Sequence, residues 1–353
     1  MSIEFLGHKK NLLPFILTHV QGASGQNLQK KFVDLFCGTA AVSNAFKRAG
    51  YKVIANDQLY WCSISAEATL LNDNDPPFEG IREFITSRDH GLLKPSAYES
   101  VLKSLNELGP VKGFIYRNYS PAAKSNGDGG RMYFTENNAG RIDAIRSRIE
   151  EWRPRLTRGE SALLLWDLIR SSNAVSNIAG TYGCYLKHWK ERAKQPLQLA
   201  RSALNSGSTK HEVFCEDANK IVETVSGSIV YADPPYTKRQ YAAYYHLLET
   251  IALGDEPNLS GSTGLRPWEE KASNYCYRKR APQALQDLVS KLNCQHFFLS
   301  YNEDGQIPHQ VILDILKGSG DVEFFEAPYR RYKSSARPHK GDGVVERLYH
   351  LSF

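Results

Sequence analysis

Residues 31–57 limit the possible folds more than any other stretch of the chain. They read Lys-Phe-Val-Asp-Leu-Phe-Cys-Gly-Thr-Ala-Ala-Val-Ser-Asn-Ala-Phe-Lys-Arg-Ala-Gly-Tyr-Lys-Val-Ile-Ala-Asn-Asp. The pattern predicts a strand over Phe32–Phe36, a turn at Gly38, a helix over about Ala41–Ala49 and a strand over Lys52–Ala55. That is a βαβ unit, so the fold class is α/β, with a mainly parallel sheet. Ala40, Ala41 and Ser43 are small enough to let the helix approach the sheet closely. Asp57 closes the second strand about twenty residues past the turn, where an acid can hold ribose hydroxyls.

The turn differs from the dinucleotide fingerprint. Gly38 lets the backbone pass close to a ligand, but a second and third glycine are missing, and Asp34 lies inside or just after the first strand. A pyrophosphate would be repelled there and an ammonium group attracted. These features point away from NAD and toward a nucleoside carrying a cationic amino-acid tail, S-adenosylmethionine.

The second informative stretch is Ile229-Val-Tyr-Ala-Asp-Pro-Pro-Tyr236. Ile229 and Val230 suit a buried strand. Pro234 and Pro235 lack backbone N–H groups and have fixed φ, so the strand must end in a rigid turn. In open α/β sheets, ligands bind at the carboxyl ends of the strands. The turn offers the Asp233 carboxylate, the Pro234 carbonyl and the Tyr236 ring. Together these suit the exocyclic amine of a planar base, with two acceptors for its hydrogens and a face on which to stack. The carboxylate is expected near its ordinary pKa of about 3.9.

Composition adds weaker limits. Lys and Arg number 44 against 38 Asp and Glu, a net charge of +6, which fits a polyanionic partner without requiring one. Six scattered cysteines show no C-x-x-C pair or metal-ligand spacing, so reduced thiols in the cytosol and no metal are expected. No run approaches the roughly 18 apolar residues of a membrane span, and no signal-peptide core is seen.

Residues 4–16 hold a glycine turn, Gly7-His8-Lys9, before an apolar helical segment; Gly7 would allow close backbone approach and Lys9 could meet a carboxylate. Ser125–Gly130 reads as a loop. A helix is expected to start at Thr135, with Ile142, Ile145, Ile149 and Trp152 on one face. Arg141, Arg146 and Arg148 on its other faces read as a solvated or a phosphate-facing edge. A second helix is expected over Ser161–Ala174, and aromatic and basic residues alternate over 177–189. Val213–Asn219 predicts a strand ending in Asp217. Further helices are expected at Leu247–Leu253, Pro282–Leu292 and Ile307–Leu316. Strands are expected at His296–Ser300, Val322–Glu326 and Val344–Ser352. The segments 255–280 and 329–335 are basic, aromatic and least core-like.

Taken together, Gly7-His8-Lys9, Asp34-Leu-Phe-Cys-Gly38, Asn56-Asp57, Asp217, Asp233-Pro-Pro-Tyr236 and Ser300-Tyr-Asn302 resemble, in order, the motifs of the Dam-like, α-group DNA adenine-N6 methyltransferases. The resemblance is dispersed over nearly the whole chain. Its departure is Thr39-Ala40, where the family often has a second glycine. It implies a Rossmann-like methyltransferase sheet with helices on both faces and a mostly helical target-recognition insertion. The expected organisation is a catalytic domain of residues 1–75 and 211–353, with a DNA-binding region at 76–210. The resemblance implies that Gly7, Lys9, Asp34, Phe36, Cys37, Gly38, Asp57 and Asp217 bind S-adenosylmethionine. Asp233, Pro234, Pro235 and Tyr236 would be catalytic, acting on an adenine flipped out of double-stranded DNA. S-adenosylhomocysteine would be the product, and a restriction endonuclease of the same specificity is a common companion. Cytosine-amine enzymes more often carry Ser-Pro-Pro, which disfavours cytosine N4; adenine in RNA and a non-catalytic nucleic-acid-binding module are the other readings.

Overall fold

The computed structural model describes Ile3 and residues 7–23, 30–85, 95–123, 130–207, 210–330 and 343–353. The expected loop before Gly130 and the basic segment beyond Arg330 lie outside the described residues, as do residues 4–6. Two compact units are present. One comprises Phe5–Ala66, Gly207–Ala242 and Glu269–Phe353; the other is built on Glu67–Ser206 and Ala243–Trp268.

The first unit is a seven-stranded sheet. Its strands are β1 Lys31–Asp34, β2 Lys52–Asn56, β3 Glu212–Phe214, β4 Gly227–Ala232, β5 Cys294–Asn302, β6 Asp321–Arg330 and β7 Gly343–Ser352. They lie in the order β3-β2-β1-β4-β5-β7-β6. β1 to β5 pair in parallel, and β7 runs antiparallel between β5 and β6. The order reverses between β1 and β4, which opens a crevice at their carboxyl ends. This is a Rossmann-like sheet with an antiparallel hairpin at one edge.

Side chains alternate between its two faces. Val33, Val230, Phe297 and Leu299 form a core with Leu285 and Leu288 of the helix Ala281–Ser290 and Ile312 and Leu316 of the helix His309–Lys317. On the other face Phe32 stacks on Phe46 of the helix Ala41–Arg48, with ring centroids 3.7 Å apart. Toward the sheet's edge on that face, His19 of the helix Leu13–Ala23 stacks on Phe325 of β6 at 3.8 Å.

β1 stops at Asp34, two residues short of expectation. The reason is local: the Leu35 N–H donates to the Tyr231 carbonyl at 3.0 Å and the Cys37 N–H to the Asn56 carbonyl at 2.9 Å, which folds the chain into a turn. Gly38 (φ 51°) and Ala40 (φ 56°) both take left-handed conformations. For Ala40 this costs about 1–2 kcal/mol. The Ala40 carbonyl is tied to the Asn44 amide nitrogen at 2.8 Å, so the following helix holds the residue there. β3 likewise ends at Phe214 rather than at Asp217. Asp217 instead caps the short helix Ala218–Ile221, accepting from the Asn219 N–H at 2.8 Å.

The second unit is mostly helical. Its longest helices, Glu136–Trp152 and Arg158–Ala174, start at Thr135 and Thr157, whose side chains accept from Asn138 and Glu160 backbone N–H groups. The Thr157–Glu160 capping box explains why the latter begins earlier than Ser161.

Arg141 and Arg146 correct the sequence reading: neither forms a solvated or phosphate-facing edge. Arg141 donates to the Asn106 carbonyl at 2.6 Å. Arg146 is buried and donates to the carbonyls of Ile251, Ala252 and Leu253 at 3.0, 3.3 and 3.0 Å. Those are the last residues of the helix His246–Leu253, whose carbonyls would otherwise lack partners. Periodicity cannot show this, because the acceptors lie about a hundred residues away. Arg146→Ala is expected to destabilise the protein by about 2 kcal/mol through the loss of charge-assisted bonds to buried carbonyls. Urea denaturation checks this; an unchanged midpoint would contradict it.

Candidate active site

The register of the sheet converges the chemistry. Asp34 pairs with Tyr231, Ala232 with Leu299 and Asn302 with Glu346. Asp34, Asp233, Ser300, Asn302 and Glu346 therefore end on one face at the carboxyl edge of the parallel strands. A cavity of about 520 Å³ opens there. It is lined by all twelve residues singled out in the sequence: Gly7, Lys9, Asp34, Phe36, Cys37, Gly38, Asp57, Asp217, Asp233, Pro234, Pro235 and Tyr236.

One end of the cavity is acidic. Asp34 is 1% exposed. Its Oδ2 accepts from the Ser43 hydroxyl at 2.6 Å, and its Oδ1 has no hydrogen-bond partner. Burial, with Asp57 nearby, pushes its pKa up to about 7. An orphaned carboxylate oxygen lining a cavity fits an incoming ammonium group. Asp57 holds the turn itself, accepting the Gly38 N–H on Oδ2 and the Leu59 N–H on Oδ1, each at 2.9 Å. Cys37 is buried, and burial holds its thiol well above the ordinary range.

Farther along, Phe36 meets Tyr275 edge-on at 5.4 Å, and the Tyr275 hydroxyl donates to Asn219 at 2.9 Å. Asp217, Asn219 and Tyr275 line this end. Tyr275 and Asn219 were not singled out from the sequence; Tyr275 falls in a stretch that reads as surface.

At the Pro-Pro turn, Lys9 is 5% exposed and its Nζ lies 3.0 Å from Asp233 Oδ1 and 2.5 Å from Glu346 Oε1. Burial opposes the charge on Lys9, but Asp233 and Glu346 outweigh it and hold the ammonium pKa well above the ordinary value. Asp233, 15% exposed, departs from expectation: burial pushes its pKa up to about 7 although Lys9 pulls the other way. The Lys9 Nζ also lies 5.3 Å from the centre of the Tyr236 ring. Gly7 has φ 79°, and a Cβ there would come to 3.4 Å from the Tyr241 hydroxyl and 3.5 Å from that of Tyr236. These are ordinary contact distances, so the left-handed backbone rather than crowding favours glycine here.

Glu346 was missed in the sequence. The signal was an acid in phase with Val344 and Leu348 on a strand where that phase faces inward, and all three are buried.

Among the described residues, no group of three His, Cys, Asp or Glu side chains could hold a metal, and no helix is long and apolar enough to cross a membrane. None of the six cysteines takes part in a disulfide.

Residues 5–303 match the family of D12 class N6 adenine-specific DNA methyltransferases. The chain is 38% identical over 359 residues to the type II methyltransferase M.FokI of Planomicrobium okeanokoites, covering 99% of itself and 52% of that protein. It is 35% identical over 354 residues to the modification methylase StsI of Streptococcus sanguinis, again covering 99% of itself and 52% of the relative. With the type II methyltransferase M.NlaIII of Neisseria lactamica it shares 34% over 355 residues, covering 99% of each. The chain thus spans about half the length of the first two relatives and nearly all of the third. The chain belongs to the D12 class of N6 adenine-specific DNA methyltransferases.

Proposed function

We propose that the chain transfers the methyl group of S-adenosylmethionine to the N6 amine of an adenine flipped out of double-stranded DNA. The observation that carries this reading is the Asp233-Pro-Pro-Tyr236 turn held at the cavity by Lys9, beside the orphaned oxygen of Asp34. When bound, S-adenosylmethionine supplies an electrophilic methyl group. Asp34 pairs with its ammonium end, Asp57 with the ribose, and Asp217 lies beside the adenine, with Phe36 and Cys37 walling the site and Gly7 and Gly38 giving it room.

The target amine is a poor nucleophile because its lone pair is delocalised into the ring. With the Lys9 ammonium 3.0 Å from Oδ1 of Asp233, Oδ2 and the Pro234 carbonyl accept the amine hydrogens and make the nitrogen more tetrahedral and electron-rich. Pro235 keeps the turn rigid, and Tyr236 stacks on the base. A carboxylate with its pKa raised to about 7 also takes up the amine proton more readily than an ordinary one. Positioning and electrostatics of this kind account for rate gains of several kcal/mol. The base must leave the helical stack, at a cost of a few kcal/mol.

Recognition is assigned to residues within about 80–210 and to the first part of the segment 255–280, which carry basic and aromatic residues without a cofactor motif; from Lys271 on, that segment lines the cavity of the sheet unit instead. Their exchange with the corresponding part of M.NlaIII should change the sequence methylated; retention of the original specificity would refute the assignment. The relatives are named as type II methyltransferases and modification methylases, which supports a role in restriction–modification, acting on cytosolic DNA with a cognate endonuclease that recognises the same site.

The test is incubation with tritiated S-adenosylmethionine and unmodified DNA, followed by nucleoside analysis. Label in N6-methyladenine is expected; label in N4-methylcytosine, or binding without transfer, would refute the reading. Tyr236→Phe keeps the stacking face and should retain most activity. Tyr236→Ala loses a stack worth about 1–3 kcal/mol. Equal inactivity of the two in single-turnover assays would make the hydroxyl, rather than the ring, the working part.

A further inference from the structure

We propose that Glu346 on β7 is a positioning residue that acts through Lys9 to set the charge and direction of Asp233. The proposal rests on the methyl-transfer reading above. Glu346 is 1% exposed, and both of its oxygens are held. Oε1 accepts from Lys9 at 2.5 Å and from the Ser300 hydroxyl at 3.0 Å; Oε2 accepts from the Asn302 side-chain amide at 3.2 Å. The carboxylate cannot turn without breaking these bonds. The late strand-end motif Ser300-Tyr-Asn302 thereby gains a task, since two of its three residues anchor Glu346.

Lys9 is the shared element. Its one ammonium group lies between two carboxylates, 3.0 Å from Asp233 and 2.5 Å from Glu346. A single carboxylate would have neutralised it. With two, the ammonium fixes Asp233 in place without cancelling its charge, because part of its field is spent on Glu346. Asp233 is then a directed acceptor that stays electron-rich. The groups facing it are Lys9 from the segment before the first helix, Glu346 from β7, Asp34 from β1, and Tyr231 and Tyr236 flanking it in its own strand and turn. Lys9 is the only cation among these five, so removing Glu346 turns its whole charge on Asp233.

The experiment compares the parent chain with Glu346→Gln and Glu346→Asp. Single-turnover methylation is followed with tritiated S-adenosylmethionine over about pH 5.5–9, the range that brackets a neutral catalytic acid or base. Glu346→Gln loses the charge but can still hydrogen-bond. Its acid limb should move down by about one pH unit or more, from the loss of a like charge across a shared counter-ion. Its plateau should fall about ten-fold as Asp233 becomes a weaker acceptor. Glu346→Asp keeps the charge and shortens the reach, so its limb should stay near the parent's while the plateau drops. A limb in Glu346→Gln that coincides with the parent's would overturn the proposal, whatever happens to thermal stability. Titration of the Asp233 carboxyl by carbon-13 NMR in the same three proteins gives the answer independently of turnover. If the parent transfers no methyl group, the functional reading fails. An Asp233 titration that does not move downward in Glu346→Gln overturns the Glu346 proposal separately.

Discussion

Replacing Asp233 with alanine is expected to lower methyl transfer by about 10³-fold or more, the scale of losing a preorganised group aimed at the transition state. Cofactor and DNA binding should stay within a few-fold of the parent. The asymmetry follows from what Asp233 touches. Its ion-pair partner among the described residues is Lys9, which retains Glu346 as a partner when Asp233 is gone. No buried ammonium is left unpaired, and the apolar residues of β4 that build the core are unchanged. The lost contact is with the target amine, and it strengthens as positive charge develops there, so the effect falls on kcat rather than on binding. Rapid-quench measurement of one turnover, with separate binding titrations, checks this. A variant that still methylates within ten-fold of the parent would remove Asp233 from the chemistry.

The second large effect is expected at the other end of the cavity. Asp34→Asn should weaken S-adenosylmethionine binding by about 10²–10³-fold, because it removes the charged partner of a buried ammonium group. The parent should also show a pH dependence that the variant lacks. Burial, with Asp57 nearby, raises the Asp34 pKa to about 7 in the free protein. The ammonium pairs only with the ionised form, so binding pulls this pKa down. Affinity therefore falls as pH drops through about 7, by up to ten-fold per unit. Calorimetry at several pH values distinguishes the outcomes; a flat profile for the parent would show that Asp34 does not face the ammonium.

Much of this site was legible because its residues stand at strand ends. The breaks at Gly38 and at Pro234–Pro235 are enough to place Asp233 at the edge of a sheet and Asp34 within two residues of one. Gly7 was legible only as a turn glycine; its backbone is left-handed (φ 79°), a conformation that favours glycine. Long-range pairings were not legible. Lys9 could be seen as a cation awaiting a carboxylate, but its partners lie 224 residues away at Asp233 and 337 away at Glu346. The phase of Glu346 with Val344 and Leu348 marked it as an inward-facing acid, but its partner became visible only once the register of β5 against β7 placed it opposite Asn302. Arg146 misled for a related reason: a helix face reads as solvated until another segment is known to end against it. The raised pKa of Asp233 was equally hidden, because burial and the charge of Glu346 are properties of the assembled sheet.

The most direct measurement of the central claim is base-resolution sequencing of plasmid DNA from cells expressing the parent chain or Asp233→Ala, read for modified bases. N6-methyladenine is expected at one recurring short sequence with the parent and none at that sequence with Asp233→Ala. Modified cytosine in place of adenine, or equal adenine methylation by both proteins, would contradict it.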